Sequence, residues 1–435
     1  MGDETGAQRG GGETLQLERV TIKNFRGIDA WDIEFKPGFN LIKGENGKGK
    51  TSVLEAIAVG LGGFVAGLEG VQARHFMQDE IRQIYSVVGD GSYMKKNIVP
   101  TEVTIRAQLD GETFEWTRGR NSVKASRSTM QPRALCKKAE KMAADENTEL
   151  PILSYMGAGR VWSQRREKSE NIFRTQYFRT VGYTDALLEA SNIKLLLNWC
   201  ARMEQLEWKK EQKISEYEAV KKAVSDFMQC MEAQDGIEVF YDKQQEGLLY
   251  RKGDLILSVT SLSAGYQSLV WMVMEIAYRM AVLNPFMKEA VAQTHGVVLI
   301  DEIDIHLHPR WQWNIINALR TVFPNVQFIA ATHSPILFAS AKDLWLIDVE
   351  NQEITYEYSH YGIDINTSVT SYQETQEMPA EVKKKADAFN NAMDEENYTE
   401  AKAILAELEQ NTAPSYPLLL QMQTRYAFET ASWEA

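Results

Sequence analysis

The chain has 435 residues, 44% of them hydrophobic and 25% charged, and a formal net charge of −13. That length exceeds one ordinary core and predicts two or more subdomains. No apolar run reaches the length of a membrane span, and the acidic balance excludes a protein coated all over in nucleic acid while leaving room for a local basic patch. Cys136, Cys200 and Cys230 stand in no paired or zinc-type spacing, which predicts free thiols in a reducing, cytoplasmic setting.

Residues 1–14 are glycine-rich and polar, lack the apolar stretch of a signal peptide, and read as a disordered tail. Three short strands are expected next, at Val20–Gly27, Trp31–Phe35 and Phe39–Ile42. A hairpin follows across Asp110-Gly111, joining Thr101–Leu109 to Thr113–Thr117. Residues 118–149 are polar and mixed and read as a loop or surface insert. Leu, Lys and Glu dominate from Tyr183 to about Ala233, where a helical block is expected. Strands return around Val239–Tyr241, Leu248–Tyr250 and Leu255–Val259. An apolar helix over Gln267–Leu283 precedes two buried strands, Gly296–Ile300 and Val326–Ala331. The segment from Pro379 to Ala435 reads as a small helical hairpin.

The most specific signal is Gly44-Glu-Asn-Gly-Lys-Gly-Lys-Thr51, a complete Gly-x-x-x-x-Gly-Lys-Thr phosphate loop between an expected strand and an expected helix. Glycines let backbone N–H groups approach phosphate oxygens, and the helix N-terminus adds partial positive charge. Lys50 is placed to reach the β- and γ-phosphates and Thr51 to meet Mg²⁺. Asn46, Gly47, Lys48, Gly49, Lys50, Thr51 and Ser52 are therefore the candidate nucleotide contacts.

Four further stretches match partners that such a loop needs. Val297-Val-Leu-Ile-Asp-Glu is an apolar strand ending in two carboxylates, a Walker B pattern. Asp301 is expected at the metal and Glu302 as general base on the attacking water. Leu262-Ser-Ala-Gly-Tyr-Gln puts a glycine-containing turn at a helix start, so Ser263 and Gly265 become candidates for a γ-phosphate contact. Asp304-Ile-His-Leu-His-Pro follows the carboxylates; its two histidines lack zinc-spaced partners, which favours a structured turn over a metal site. His333, in Ala331-Thr-His-Ser-Pro directly after a buried strand, is expected to contact the γ-phosphate.

Together with Asn24-Phe-Arg-Gly27, these motifs resemble the RecF/SMC/OLD-like branch of ABC ATPases over residues 17–60 and 250–350. Within it the chain is similar to ATPase subunits of the Septu and retron-linked antiphage systems. That narrower likeness rests on Tyr155-Met-Gly-Ala-Gly-Arg-Val-Trp, Leu283-Asn-Pro-Phe, His306-Leu-His-Pro-Arg-Trp-Gln, Met378-Pro-Ala-Glu-Val and Glu400-Ala-Lys-Ala-Ile-Leu. The resemblance implies an α/β ABC-type P-loop ATPase head with a helical insert and a C-terminal helical tail. It implies ATP and Mg²⁺ as ligands, and nucleotide sandwiched between two heads of a homo-oligomer. An effector partner such as a nuclease encoded nearby is implied as well. It makes Arg26 a candidate phosphate contact and Gln78 a candidate Mg²⁺-sensing glutamine, with Gln72 and Gln83 as rivals. The expected division is 1–14 tail, 15–150 first half of the head, 151–245 basic-aromatic and helical insert, 246–365 second half, and 366–435 interaction tail.

Two stretches stand outside the motifs. Residues 153–182 interleave Arg160, Arg165, Arg166, Lys168, Arg174 and Arg179 with Tyr155, Trp162, Phe173, Tyr177 and Phe178. Such a run suits single-stranded nucleic acid, and equally a nucleotide or protein interface. The acidic segment 371–435 shows no nuclease-type carboxylate cluster and is expected to be an interaction module and not a nuclease. Two other readings stay open: a RecF-like ATPase that itself holds DNA, and a scaffolding subunit with vestigial hydrolysis.

Overall fold

The computed structural model describes residues 15–89, 92–125, 128, 132–159, 178–189, 193–350, 353–362, 380–411 and 417–431. They divide into two compact units, 1–362 and 363–435. The N-terminal tail and the basic-aromatic positions from Arg160 to Tyr177 lie outside the described residues.

In the first unit the chain runs through β1 (Gln16–Phe25), β2 (Ile28–Glu34), β3 (Phe39–Lys43) and helix α1 (Lys50–Val65). A hairpin of β4 (Gln83–Val87) and β5 (Tyr93–Asn97) precedes β6 (Thr101–Leu109) and β7 (Glu112–Arg120), then α2 (Arg133–Ala144) and β8 (Ile152–Met156). Helices α3 (Ile193–Lys210) and α4 (Ser215–Glu232) lead to β9 (Ile237–Asp242), β10 (Gly247–Lys252) and β11 (Leu255–Ser258). After α5 (Ala264–Leu283) come β12 (Gly296–Ile300), β13 (Val326–Ala331), β14 (Trp345–Asp348) and β15 (Thr355–Tyr358).

Six of these strands form the central sheet, in the order β15-β14-β3-β13-β12-β8. All its pairings are parallel except β14 with β15. Strands buried on both faces need apolar side chains in both directions, and β3, β8, β12 and β13 are buried throughout. Ile42, Leu153, Tyr155, Leu299 and Ile329 point into a core shared with α1 and with strands of the four-stranded sheet β2-β1-β6-β7. Leu41, Ile152, Val298, Ile300 and Phe328 point the other way, against α3, α4 and α5. Each fully buried Val, Leu or Ile contributes roughly 1.5–3 kcal/mol, so both faces hold the sheet rigidly beneath its loops. This sandwich is the expected α/β head.

Several details depart from the sequence reading. Residues 118–149 are not a loop: β7 continues to Arg120, and 133–144 is a helix whose Leu135, Ala139 and Met142 are buried at i, i+4 and i+7. β8 is a strand of the main sheet, although residues 151–245 were expected as an insert. The β4–β5 hairpin was not expected. Among its described residues the second unit holds three helices, Ala380–Asp394, Tyr398–Asn411 and Pro417–Ala431, where a two-helix hairpin was expected. They close on a core of their own around Phe389, Met393, Ala401, Leu408 and Leu419. No helix among the described residues is long and apolar enough to cross a membrane.

Candidate functional site

The site lies at the carboxyl ends of β3, β13 and β12. Because β13 runs between the other two, the chain leaving it emerges between the phosphate loop and the Asp301-Glu302 pair. That placement follows from strand order alone and explains why residues far apart in sequence converge.

The phosphate loop turns through three glycines with φ in the left-handed region: Gly44 (144°), Gly47 (80°) and Gly49 (105°). Gly49 is the N-cap of α1, and a Cβ there would come within 3.0 Å of the Trp31 ring. A larger residue at Gly49 is thus strained twice, by backbone and by contact. Asn46 and Gly47 are exposed at the loop's apex, and Lys48 stands 3.7 Å from the Glu45 carboxylate. Ser52 lies in the first turn of α1.

Lys50 is 6% exposed, and its Nζ donates to the carbonyls of Gly44 (2.7 Å) and Glu45 (2.9 Å). Nδ1 of His333 lies 3.3 Å from the same Nζ. A charged lysine only donates, so the ring accepts at Nδ1 and carries its proton on Nε2. Burial lowers the pKa of His333, and the Lys50 charge lowers it further, so the imidazole is neutral near pH 7. Burial also lowers Lys50, opposed by Asp301, Glu302 and Asp304.

The Thr51 hydroxyl donates to Asp301 Oδ2 at 2.9 Å, joining the two motifs directly. Asp301 is 4% exposed; burial raises its pKa, and the Thr51 bond pulls the other way. Its backbone N–H donates to Met156 O at 2.8 Å, which ties the carboxylate to the end of β8. Glu302 is half-buried with φ 45°. A non-glycine residue in that region costs about 1–2 kcal/mol, a strain of the kind found where a side chain must be aimed.

A second layer joins this centre to the Leu262-Ser-Ala-Gly turn. Thr332 donates to Asp304 Oδ1 at 2.5 Å, and Ser334 donates to Gln312 Oε1 at 2.6 Å. His308 caps the short helix Pro309–Gln312 by accepting from the Arg310 N–H. Segment 304–308 is thereby pinned to the end of β13. Against its backbone packs Gly265: a Cβ there would lie 2.6 Å from His306 O. Ser263 is exposed at the N-cap of α5, and its side chain makes no cap hydrogen bond. Thr332 and Gln312 lie inside the Ala331-Thr-His-Ser-Pro and His306-Leu-His-Pro-Arg-Trp-Gln stretches, but sequence reasoning gave neither a role.

Arg26 and Gln78 stand differently. Arg26 has φ 49°, and its Nη2 donates to Glu55 Oε1 at 2.8 Å, one helical turn beyond Thr51. Gln78 is exposed on the loop between α1 and β4; Gln72 is exposed too, and Gln83 begins β4. Glu55 was not expected at the site. Burial pushes its carboxyl up to about 7, against the pull of Arg26 and Arg74.

The model of an AAA domain matches residues 19–235 and that of an AAA ATPase domain residues 162–338. Between them they span every residue placed above. A probable ATPase of retron Vc95 from Vibrio cholerae is 37% identical over 131 residues, 30% of this chain and 24% of its own length. Septu protein PtuA of Bacillus mycoides is 25% identical over 342 residues, 77% of this chain and 40% of its own length. The DNA replication and repair protein RecF of Vibrio vulnificus is 39% identical over 101 residues, 23% of this chain and 26% of its own. The chain therefore spans two fifths or less of each of these three relatives. Among solved structures, a Pyrococcus furiosus Smc head domain bound to the C-terminal domain of ScpA aligns with TM-score 0.46 and 16% identity, over 83% of this chain and 99% of that one.

Proposed function

We propose that this chain, an ATPase of the AAA/ABC type related to Septu PtuA, retron ATPases and RecF, uses ATP binding and hydrolysis to control a partner effector in an antiphage defence complex. The observation that carries the ATP-site assignment is the meeting of buried Lys50 and Asp301 with half-buried Thr51 and His333 at the ends of three neighbouring strands.

In this reading the phosphate-loop amides and Lys50 hold the β- and γ-phosphates. Lys50 would exchange its two carbonyl partners for phosphate oxygens, a stronger charge-assisted interaction. The Thr51 hydroxyl and Asp301 carboxylate are hard oxygen donors 2.9 Å apart, and that donor set fits Mg²⁺, with Gln78 as the third residue on the metal side. Bound there, the ion would neutralise charge on the phosphates. Glu302 polarises the attacking water, and neutral His333 donates from Nε2 toward the γ-phosphate. Ser263 and Gly265 complete the site of a second copy, so hydrolysis needs at least a dimer of heads. The Asp304–Thr332 bond then gives each head a physical link between its own nucleotide and the turn it offers its partner.

Lys50→Ala should lose ATP binding. Glu302→Gln should keep binding and lose turnover by about a hundredfold or more. Steady-state hydrolysis paired with bound-nucleotide measurement tests both, and near-normal turnover in Glu302→Gln would sink the assignment. The RecF match favours a second reading, a head that itself holds DNA. A steeply salt-dependent DNA affinity of the isolated protein would select it.

A further inference from the structure

A group of buried polar atoms sits directly behind the site and belongs to none of its motifs. Glu55 lies four residues beyond Thr51, on the same face of α1. Tyr155 pairs in register with Leu299, two residues before Asp301, so its side chain leaves the sheet on the α1 side, as that of Asp301 does. The Tyr155 hydroxyl feels the charge of both Asp301 and Glu55. Arg74 packs its guanidinium over the Tyr155 ring, 5.6 Å from the centroid, and donates to Glu80 at 2.6 Å. Glu80 also accepts from the Met77 N–H at 2.7 Å, and its carbonyl accepts from the Arg26 N–H at 2.7 Å.

Within this group Glu55 Oε2, Tyr155 Oη, Arg26 Nε, and Nε and Nη1 of Arg74 are buried without a hydrogen-bond partner among the described residues. Each such atom ordinarily lowers stability, because it has lost water without gaining a partner. An apolar filling would be more stable, so their concentration at one place calls for a reason beyond stability. The connections supply one. Glu55 joins three pieces: the helix that bears Thr51, the turn that bears Arg26, and, through the Arg26 N–H that donates to the Glu80 carbonyl, the loop that bears Gln78.

We propose that Glu55 is a positioning residue of the ATP site, holding Arg26 and the 74–80 loop in register with the Thr51–Asp301 pair. It does not touch the nucleotide. The inference rests on the ATP-site reading above and adds a residue that no motif of that reading contains. Its consequence is a division of effects. Phosphate binding depends on the glycine loop and Lys50, to which the Glu55 carboxylate makes no hydrogen bond or ion pair. Alignment of the groups around the reacting phosphate depends on Glu55.

The test uses the full chain and four variants: Glu55→Ala, Glu55→Gln, Arg26→Ala and the double Glu55→Ala/Arg26→Ala. Turnover is measured per nucleotide-binding molecule, alongside the Kd of a fluorescent ATP analogue. Glu55→Ala should lower kcat by about a hundredfold, the scale of an ångström's misplacement, with Kd changed less than about threefold. Glu55→Gln keeps an acceptor for Arg26 and should recover part of the loss. The double variant should be no worse than the poorer single, because both remove one contact. A residue that merely stabilised the fold would lower the folded fraction and leave kcat per binding-competent molecule intact. That result, or additive losses in the double variant, overturns the proposal. Wild-type turnover and its loss in Glu302→Gln are read in the same assay, so a normal Glu55→Ala would leave the ATPase reading standing.

Discussion

Replacing Gly265 with alanine probes the coupling between the Leu262-Ser-Ala-Gly turn and the catalytic centre. An added Cβ would lie 2.6 Å from the carbonyl oxygen of His306, a backbone atom that cannot swing aside. Relief to an ordinary contact of about 3.4 Å needs a shift of almost an ångström, and segment 304–308 is pinned on its far side by the Thr332–Asp304 bond. Overpacking of this kind costs about 1–3 kcal/mol, a fall in Tm of a few degrees for a unit this large. The functional cost should be larger. Ser263 is two residues away at the N-cap of α5, and moving it by the same amount should lower turnover about a hundredfold. ATP affinity should hold, because the Lys50 cradle is built from other residues. Thermal unfolding, nucleotide binding and hydrolysis measured on one preparation separate the three effects. Wild-type turnover in a Gly265→Ala protein would refute the coupling, and a lost ATP affinity would show that the turn serves the nucleotide of its own chain.

Two further outcomes follow from the placement of the site. Ser263→Arg should abolish turnover without unfolding the protein, and mixing it with Lys50→Ala protein under demonstrated subunit exchange should restore part of the activity; exchanged mixtures that stay inactive would remove the support for a site shared between copies. Truncation after Gly362 should leave ATP binding unchanged, since every site residue lies within the first unit, while weakening capture of the neighbouring gene's product in a pull-down scored by mass spectrometry; equal capture would move the docking surface off the acidic tail.

The motifs were legible in the sequence because their constraints are local. A phosphate loop needs glycines at fixed offsets between a buried strand and a helix, and Gly44, Gly47 and Gly49 meet that need with positive φ. An apolar strand ending in carboxylates announces itself in the same way at Asp301 and Glu302. Helix α2 was hidden for an opposite reason. Its buried stripe is only Leu135, Ala139 and Met142, set among lysines and a glutamate that face outward, so composition suggested a loop although the i, i+4, i+7 spacing was present. Strands β4 and β5 have no buried face at all, and period-two patterning exists only where one face meets a core.

The link from Arg26 to Glu55 was illegible for a deeper reason. In sequence Glu55 reads as one more polar position on a helix, and Arg26 as a motif residue aimed at phosphate. What pairs them is the packing of α1 against the sheet that carries β1 and β2, which fixes a contact between residues 29 apart. The same holds for Thr332 and Asp304, which meet because β13 runs beside β12 in the sheet. Groups that touch nucleotide are constrained by phosphate chemistry and so carry a recognisable spacing. Groups that align them are constrained only by where the fold brings their elements together. An acidic residue one turn past the phosphate-loop threonine, held buried with one oxygen unpaired, is therefore the kind of position at which a fold can tune turnover while leaving the nucleotide-binding motif intact.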